Sequence, residues 1–418
     1  EVEGMRELPK ITSAMLVVTH ACNLRCRYCF VQKEPKRMSL ETAKDAARFL
    51  IDNAHAAGAG TPEINFFGGE PMLMYDSIIK PLVEWVHDKL GEPFRFSITT
   101  NGTLLTDERI RFMQRHRFGL LLSMDGNKPV QDYNRPYADG KGSFDALKPV
   151  VPKVLAAWPG TTFRMTAIPE TCSHLFESIM WAAAQGFTNF FVTPNVFEAW
   201  DEAARDVLAG ELRKYADYYV QSKARGVKPI TFSTFEQAFW DIKAIADAEA
   251  KGVYRAMPKC RSEGKCGLGT SRFASIHPNG NLYACQEMTS NEGEESAFYI
   301  GSIYTGVDNE RRRALMESFD MLPVQGEYCL GSPQKRSFCG ERRSDGTTEP
   351  SRSRGGEGCA VRDDVCEYDR VCDGGCVANN YMITGYVNEL PEMYCWWRRA
   401  VLREAMRVKE AEQCRAEA

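Results

Sequence analysis

The chain has 418 residues, 44% of them apolar, and a net charge of −4 with both signs interspersed. That length suggests two or three domains, the charge leaves no basic footprint for nucleic acid, and no apolar run approaches the ~20 residues that a bilayer span needs. Fifteen cysteines, several at short C-x2-C-like spacings and without a secretory signal, read as metal sites in a reducing cytoplasm rather than as disulfides.

Between residues 10 and 235, short β-rich runs alternate with helical patterns, the signature of βα units around a parallel sheet. Residues 14–19, 63–67, 94–99, 119–123, 162–168 and 189–193 are the predicted strands. Six such units make an α/β fold, a partial (β/α)6 TIM-like barrel, whose chemistry sits at the C-terminal ends of the strands. Between the first two, Ser39 can cap a helix whose stripe Ala43, Ala46, Ala47, Leu50, Ile51 and Ala54 follows the helical period, with Gly58 ending it.

The first strand runs into Thr19-His20-Ala21-Cys22-Asn23-Leu24-Arg25-Cys26-Arg27-Tyr28-Cys29-Phe30, a C-x3-C-x2-C array. An iron–sulfur cluster wants thiolates from a short, turning loop, and three ligands on a four-iron cluster leave one iron open. A structural zinc site would need four ligands, usually as paired knuckles.

After the second strand comes Phe66-Phe67-Gly68-Gly69-Glu70-Pro71. Its two glycines let the backbone approach a ligand, and Glu70 follows as an acceptor. Thr99-Thr100-Asn101-Gly102 follows the third strand and Ser123-Met124-Asp125-Gly126 the fourth; by themselves Asn-Gly and Asp-Gly are turns. Asp132-x2-Arg135 and Gly140-Lys141-Gly142-Ser143-Phe144 come next, then Arg164 on the fifth strand. Each guanidinium can bind a carboxylate bidentately or serve a structural ion pair.

Residues 195–258 carry helical periodicity, including a linker helix expected over 236–258. The stripe of Leu208, Leu212, Tyr215, Tyr218, Tyr219, Phe235, Phe239, Trp240 and Ile242 reads as core or interdomain packing. A Cys-rich domain of a β-hairpin and short helices is expected over 259–400. It opens on Cys260-x5-Cys266, thirteen residues, Gly280, four residues and Cys285. Residues 276–284 alternate around Asn279-Gly280 as a hairpin. Asp363-x2-Cys366-x5-Cys372-x3-Cys376 follows, then Cys395 after eighteen residues. The insertion 328–359 carries Cys329, Cys339 and Cys359 and is rich in Gly, Ser, Arg and Pro, a composition that favours a solvated loop. Residues 401–418 form the end of a terminal amphipathic helix read over 396–414.

The Cys22–Cys29 loop, the aromatic after its third cysteine and Gly68-Gly69-Glu70 resemble the radical S-adenosylmethionine (SAM) superfamily. The resemblance implies that Cys22, Cys26 and Cys29 ligate a cluster whose open iron is chelated by SAM. One electron would then cleave SAM to a 5′-deoxyadenosyl radical that abstracts hydrogen from an unactivated C–H bond. It also implies that Gly68, Gly69 and Glu70 hold the SAM amino group. Ser123 and Thr100 would supply hydroxyl contacts, while Arg135 or Arg164 would meet its carboxylate, Arg135 having a substrate as its other option. No catalytic acid or base is assigned.

The second half is similar to the SPASM extension of such enzymes, which holds two auxiliary clusters; three [4Fe-4S] clusters in all are implied. By that resemblance Cys260, Cys266, Cys285 and Cys376 hold one, and Cys366, Cys372 and Cys395 hold the other. Asp363 stands where the family has a cysteine. Its carboxylate is the conservative fourth ligand, with Cys359, water or a substrate atom as alternatives.

SPASM members mostly modify ribosomally made peptides or proteins. A peptide maturase installing thioether or carbon–carbon crosslinks is therefore the leading reading. Its implied partners are a peptide or protein substrate, a Cys-containing peptide with a leader being one form, and a flavodoxin- or ferredoxin-type electron donor. An anaerobic sulfatase maturase forming formylglycine is the first alternative. That group places an Asp after the cysteine matching Cys285, whereas this chain has Gln286, which cannot accept a proton at ordinary pH. A non-catalytic iron–sulfur electron-transfer protein is the alternative of a different class. With about ten residues ahead of the first strand, no peptide-recognition domain is expected before the barrel unless the chain was trimmed.

Overall fold

The computed structural model describes residues 8–58, 60–252, 272–290, 292–319, 371–372, 374–386 and 389–416. Cys260, Cys266, Cys366, Asp363, Cys359 and the insertion 328–359 lie outside the described residues.

All six expected strands form: β1 Ser13–Thr19, β2 Glu63–Gly68, β3 Arg95–Thr100, β4 Gly119–Leu122, β5 Phe163–Ala167 and β6 Asn189–Pro194. Neighbours in sequence pair in parallel from β1 to β4 and from β5 to β6. Between β4 and β5 the ladder thins to a bridge, Ser123 to Arg164, so the parallel run opens there. A seventh strand, β7 (Thr231–Phe232), adds to β6; two residues were too few to show as a period.

The expected hairpin forms as β8 (Phe273–Ile276) and β9 (Asn281–Tyr283) around Gly280 at φ +84°. β8 also pairs in parallel with β1, and β9 continues antiparallel into β10 (Tyr299–Ser302) and β11 (Gly306–Val307). One eight-stranded sheet, ordered β11-β10-β9-β8-β1-β2-β3-β4, thus crosses from the barrel into the Cys-rich region. A separate three-stranded sheet is ordered β5-β6-β7, and among the described residues neither its β7 edge nor the β11 edge pairs with a further strand.

Alternation builds the core. Leu16 and Val18 of β1, Ile64 and Phe66 of β2, and Phe96 and Ile98 of β3 are all buried. Helix α1 (Leu40–Ala56) begins with the Ser39 hydroxyl accepting the Thr42 N–H at 2.9 Å and buries the expected alanine-rich stripe. Burying a Leu or Ile of that stripe contributes roughly 1.5–3 kcal/mol.

The helical stretch after residue 195 resolves into α2 (Glu202–Ala224) and α3 (Ser233–Glu249). Leu208, Leu212, Tyr215, Tyr219 and Phe235 are buried as expected, and the Tyr215 hydroxyl joins Ile230 O and Phe232 N. Trp240, expected on the same stripe, is 66% exposed. Asp241 beside it is buried in an ion pair with Arg398 at 3.4 Å. Arg398 belongs to the terminal helix α4 (Glu392–Ala416), which packs along α2 and α3. Among the described residues, no helix is long and apolar enough to cross a membrane.

Candidate active site

The cysteine loop leaves the C-terminal end of β1 and is fixed by backbone rather than by its thiols. Leu24 is fully buried and bridges Tyr137. The Arg25 N–H donates to Pro136 O at 2.7 Å, the Arg27 N–H to Asn134 O at 3.0 Å, and the Ala138 N–H to Asn23 O at 3.2 Å. Residues 133–138 are therefore a splint along the loop. The Arg27 guanidinium, 4.0 Å over the Tyr133 ring, clamps it from outside. From the other side Asn101 donates to Asn23 at 2.9 Å and Asn23 to Thr103 at 2.8 Å.

Within this frame Cys22 and Cys26 are half-buried and Cys29 is exposed. The three lie close enough to act on one another electrostatically. Burial pushes the Cys26 thiol up to about 11, against the pull of Arg135, and burial likewise raises Cys22, against the Leu24 N–H. Such thiols ionise when a metal displaces the proton. Donors already point at each sulfur: Lys33 Nζ at 2.7 Å from Cys29 Sγ, Arg135 Nη1 at 3.9 Å from Cys26 Sγ, and the Leu24 N–H at 3.4 Å from Cys22 Sγ. Cations and N–H groups around converging thiolates suit an anionic iron–sulfur cluster, so the residues fit that group.

The expected ligand contacts Gly68, Gly69, Glu70, Thr100 and Arg135 all have protein neighbours of their own. Gly68 and Gly69 are close to the cysteine loop itself: a Cβ on Gly68 would lie 2.2 Å from Thr19 O, and one on Gly69 would lie 2.2 Å from Ala21 O. Their lack of a Cβ lets β2 lie close against the loop. Glu70 is buried, and its carboxylate accepts from Met72 N–H at 2.9 Å, Thr100 Oγ1 at 2.8 Å and Asn101 N–H at 2.8 Å. Burial raises its pKa, and those three donors oppose the rise. About one of its four acceptor positions is left for anything else. Thr100 donates its hydroxyl to Glu70 and accepts from Gly102 N–H at 3.1 Å, so it braces Glu70. Arg135 pairs through Nη2 with fully buried Asp125 at 3.0 Å, while its buried Nε has no hydrogen-bond partner among the described residues.

Two expected contacts stay open to a ligand. Ser123 is half-buried and its hydroxyl makes no hydrogen bond among the described residues. Arg164 is accessible to solvent and lies 5.4 Å over the Phe191 ring, yet surrounding protein lowers its pKa by desolvation. Of the expected auxiliary ligands, Cys285 and Cys395 are buried and Cys372 and Cys376 are half-buried.

Sequence reasoning missed three features. Asp125 read as half of an Asp-Gly turn. It is the hub of the splint, accepting from Tyr28 Oη, Asn134 Nδ2 at 3.1 Å, Arg135 Nη2 and the Thr166 N–H at 3.0 Å. Glu287 follows the Gln286 on which attention fell. Burial pushes it up to about 7, against the field of Arg164 and a bond from Gln286. Third, His20, His277 and Glu292 converge from distant segments. Burial alone would raise Glu292, but its contacts with His20, His277 and Lys36 hold it well below the usual carboxylate range.

Residues 16–182 match the Radical SAM superfamily, and the chain carries a radical SAM domain there. A serine-type anaerobic sulfatase-maturating enzyme of Klebsiella aerogenes is 34% identical over 132 residues, 30% of this chain and 32% of that one. The antilisterial bacteriocin subtilosin biosynthesis protein AlbA of Bacillus subtilis is 27% identical over 145 residues, 34% of this chain and 30% of that one. The chain spans about a third to a half of the length of the curated relatives it matches first. Native anSMEcpe, solved with AdoMet and a peptide bound, superposes with a TM-score of 0.67 over 96% of this chain and 99% of that one, at 17% identity. That likeness is one of fold alone, an α/β fold like that of anSMEcpe.

Proposed function

Proceeding from the radical SAM domain of residues 16–182, we propose that this chain is a maturase of ribosomally made peptides or proteins that installs a thioether or carbon–carbon crosslink. Its cluster, when bound, supplies the electron that cleaves SAM reductively to a 5′-deoxyadenosyl radical able to take hydrogen from the substrate. The observation that carries the reading is the placing of Cys22, Cys26 and Cys29 on one splinted loop with a donor aimed at each sulfur.

The chain's own residues divide the remaining work. Asp125, Arg135 and residues 133–138 hold the loop, and Glu70 with Thr100 ties the ends of β2 and β3 beneath it. Ser123 is left to donate to SAM. Arg164 is left to meet an anionic group, a SAM or peptide carboxylate. Ser123→Ala is expected to keep the full iron content and to weaken SAM binding by about 1–3 kcal/mol, the cost of leaving a buried polar partner unmet. Equilibrium dialysis with SAM reads the loss; a drop in iron would show Ser123 to be structural.

The peptide or protein substrate, with a Cys-containing leader-bearing peptide as one form, follows the names of the relatives. A cytoplasmic location, a flavodoxin- or ferredoxin-type donor and two auxiliary clusters in residues 259–400 belong to the same proposal. For the second auxiliary cluster, Asp363→Cys is expected to retain all three clusters and shift one reduction potential, since ligand identity is a main determinant of potential. An Asp363→Ala protein with unchanged iron and spectrum would remove Asp363 from the ligand set.

Formylglycine formation is the sibling reading, favoured by the Klebsiella relative. Gln286 speaks against it, because its amide offers no proton acceptor where those enzymes have Asp. Anaerobic incubation with SAM, dithionite and candidate substrates tests the whole: 5′-deoxyadenosine must form. Among substrates, a peptide lighter by two hydrogens and free of aldehyde marks a crosslink, and an aldehyde marks formylglycine. A reconstituted protein that forms no 5′-deoxyadenosine would instead be an electron carrier.

A further inference from the structure

His20, His277 and Glu292 take no part in the site described above. They come from the end of β1, the end of the neighbouring strand β8 and the loop after β9. Both imidazoles are buried, at 1% and 0% exposure, and Glu292 is half-buried. Glu292 Oε1 lies 2.8 Å from His277 Nδ1 and 3.3 Å from His20 Nε2, and the three ligand atoms are all within 4.8 Å of one another.

Imidazole nitrogen and carboxylate oxygen are ordinary zinc ligands. An ion at about 2.0–2.1 Å from tetrahedral donors spaces them about 3.3 Å apart. The observed spacings bracket that value. A second observation points the same way: His20 Nε2 reaches the carboxylate without hydrogen-bond geometry and is a buried nitrogen with no hydrogen-bond partner. Such groups are rare in folded proteins and call for an explanation, an ion being one.

The protein also orients the trio from behind. The His277 ring lies 4.2 Å from the Tyr283 ring, and the Tyr283 hydroxyl accepts the Gly293 N–H at 2.9 Å, which fixes the loop bearing Glu292. Support of that kind is what holds metal ligands in place.

We propose that His20, His277 and Glu292 bind a divalent transition-metal ion of the zinc class, separate from any iron–sulfur cluster, that joins the cysteine-loop end of β1 to the hairpin. Lys36 sits on the other carboxylate oxygen, Oε2, at 2.8 Å. Its charge opposes the ion and leaves Oε1 as the ligating atom. The site has three protein donors and one further position for water.

The test uses the full chain with its iron–sulfur clusters reconstituted, exposed to Zn2+ alone and then freed of loosely held metal. Wild type is expected to keep about one zinc per chain beyond its iron, by analogy with other mononuclear sites, and Glu292→Gln to lose it with iron unchanged. Loaded with Co2+, the site is expected to show visible d–d bands without the intense thiolate charge-transfer band that cobalt on the cysteines would give. Lys36→Met alters an exposed side chain and acts in the opposite sense. Removing that cation is expected to raise zinc affinity by roughly threefold or more. Wild type without extra zinc, zinc equally retained by Glu292→Gln, a thiolate-type cobalt spectrum, or no gain in Lys36→Met overturns the proposal and leaves a His277–Glu292 hydrogen bond with His20 beside it. None of these readouts depends on SAM cleavage, so the metal site and the maturase reading fail separately.

Discussion

Replacing Cys22, Cys26 and Cys29 together with Ala is expected to remove about four irons per chain and to abolish 5′-deoxyadenosine formation, because an open iron for SAM exists only on a cluster with three protein ligands. The fold should survive the change. The loop is held by the buried Leu24 side chain, the backbone bonds to residues 134–138 and the Asn23–Asn101 contact, none of which involves sulfur. Unfolding of the metal-free variant should therefore match that of metal-free wild type, which isolates the loss as one of ligation. Anaerobic iron analysis with chromatography of the nucleoside products measures both halves. A triple variant that still cleaves SAM ends the radical SAM reading of this loop.

Asp125→Ala is expected to destabilise the protein by about 3–5 kcal/mol, the cost of stripping a buried charge of its partner. The guanidinium of Arg135 would be left in a buried site facing no carboxylate, and Asn134, Tyr28 and the Thr166 N–H would each lose an acceptor. Asp125→Asn keeps an oxygen for some of those donors and should lose less. Urea titration of the metal-free proteins gives the difference. Because residues 133–138 splint the cysteine loop, the Ala variant should also retain iron poorly at temperatures where it is still folded. A change under about 1 kcal/mol, the size of an ordinary hydrogen bond, would mean the hub is not structural.

What could be read beforehand was whatever repeats locally. Two-residue alternation gave away six strands, and the stripe from Ala43 to Ala54 gave away the first helix with its Ser39 cap. The Cys22–Cys29 spacing was legible because its chemistry lies within one turning loop. Roles that depend on residues far apart were not. Glu70 looked like a ligand contact because its partners Thr100 and Asn101 come 30 and 31 residues later, on another strand end. Arg135 looked available because nothing near it in sequence shows that Asp125 would fold back onto it. Asp241, next to the exposed Trp240, is buried against Arg398, 157 residues away. His20 and His277 lie in two stretches read for other reasons, the cysteine loop and the hairpin, and they meet because β8 returns beside β1.

That return has a consequence for how the chain comes to be folded. β1 lies between β2 and β8, and its β8 pairing joins residues 260 positions apart, Ser13 to Phe273. Contacts so distant in sequence form late, since the loop entropy must be met before they contribute. As the protein emerges from the ribosome, β1 to β6 can assemble first while one side of the apolar strand Ala14-Met15-Leu16-Val17-Val18 still presents unpaired amides. A bare apolar edge is a template for another chain. A fragment ending before Phe273 should therefore associate with itself, and the hairpin that supplies β8 acts in cis as the barrel's own edge guard.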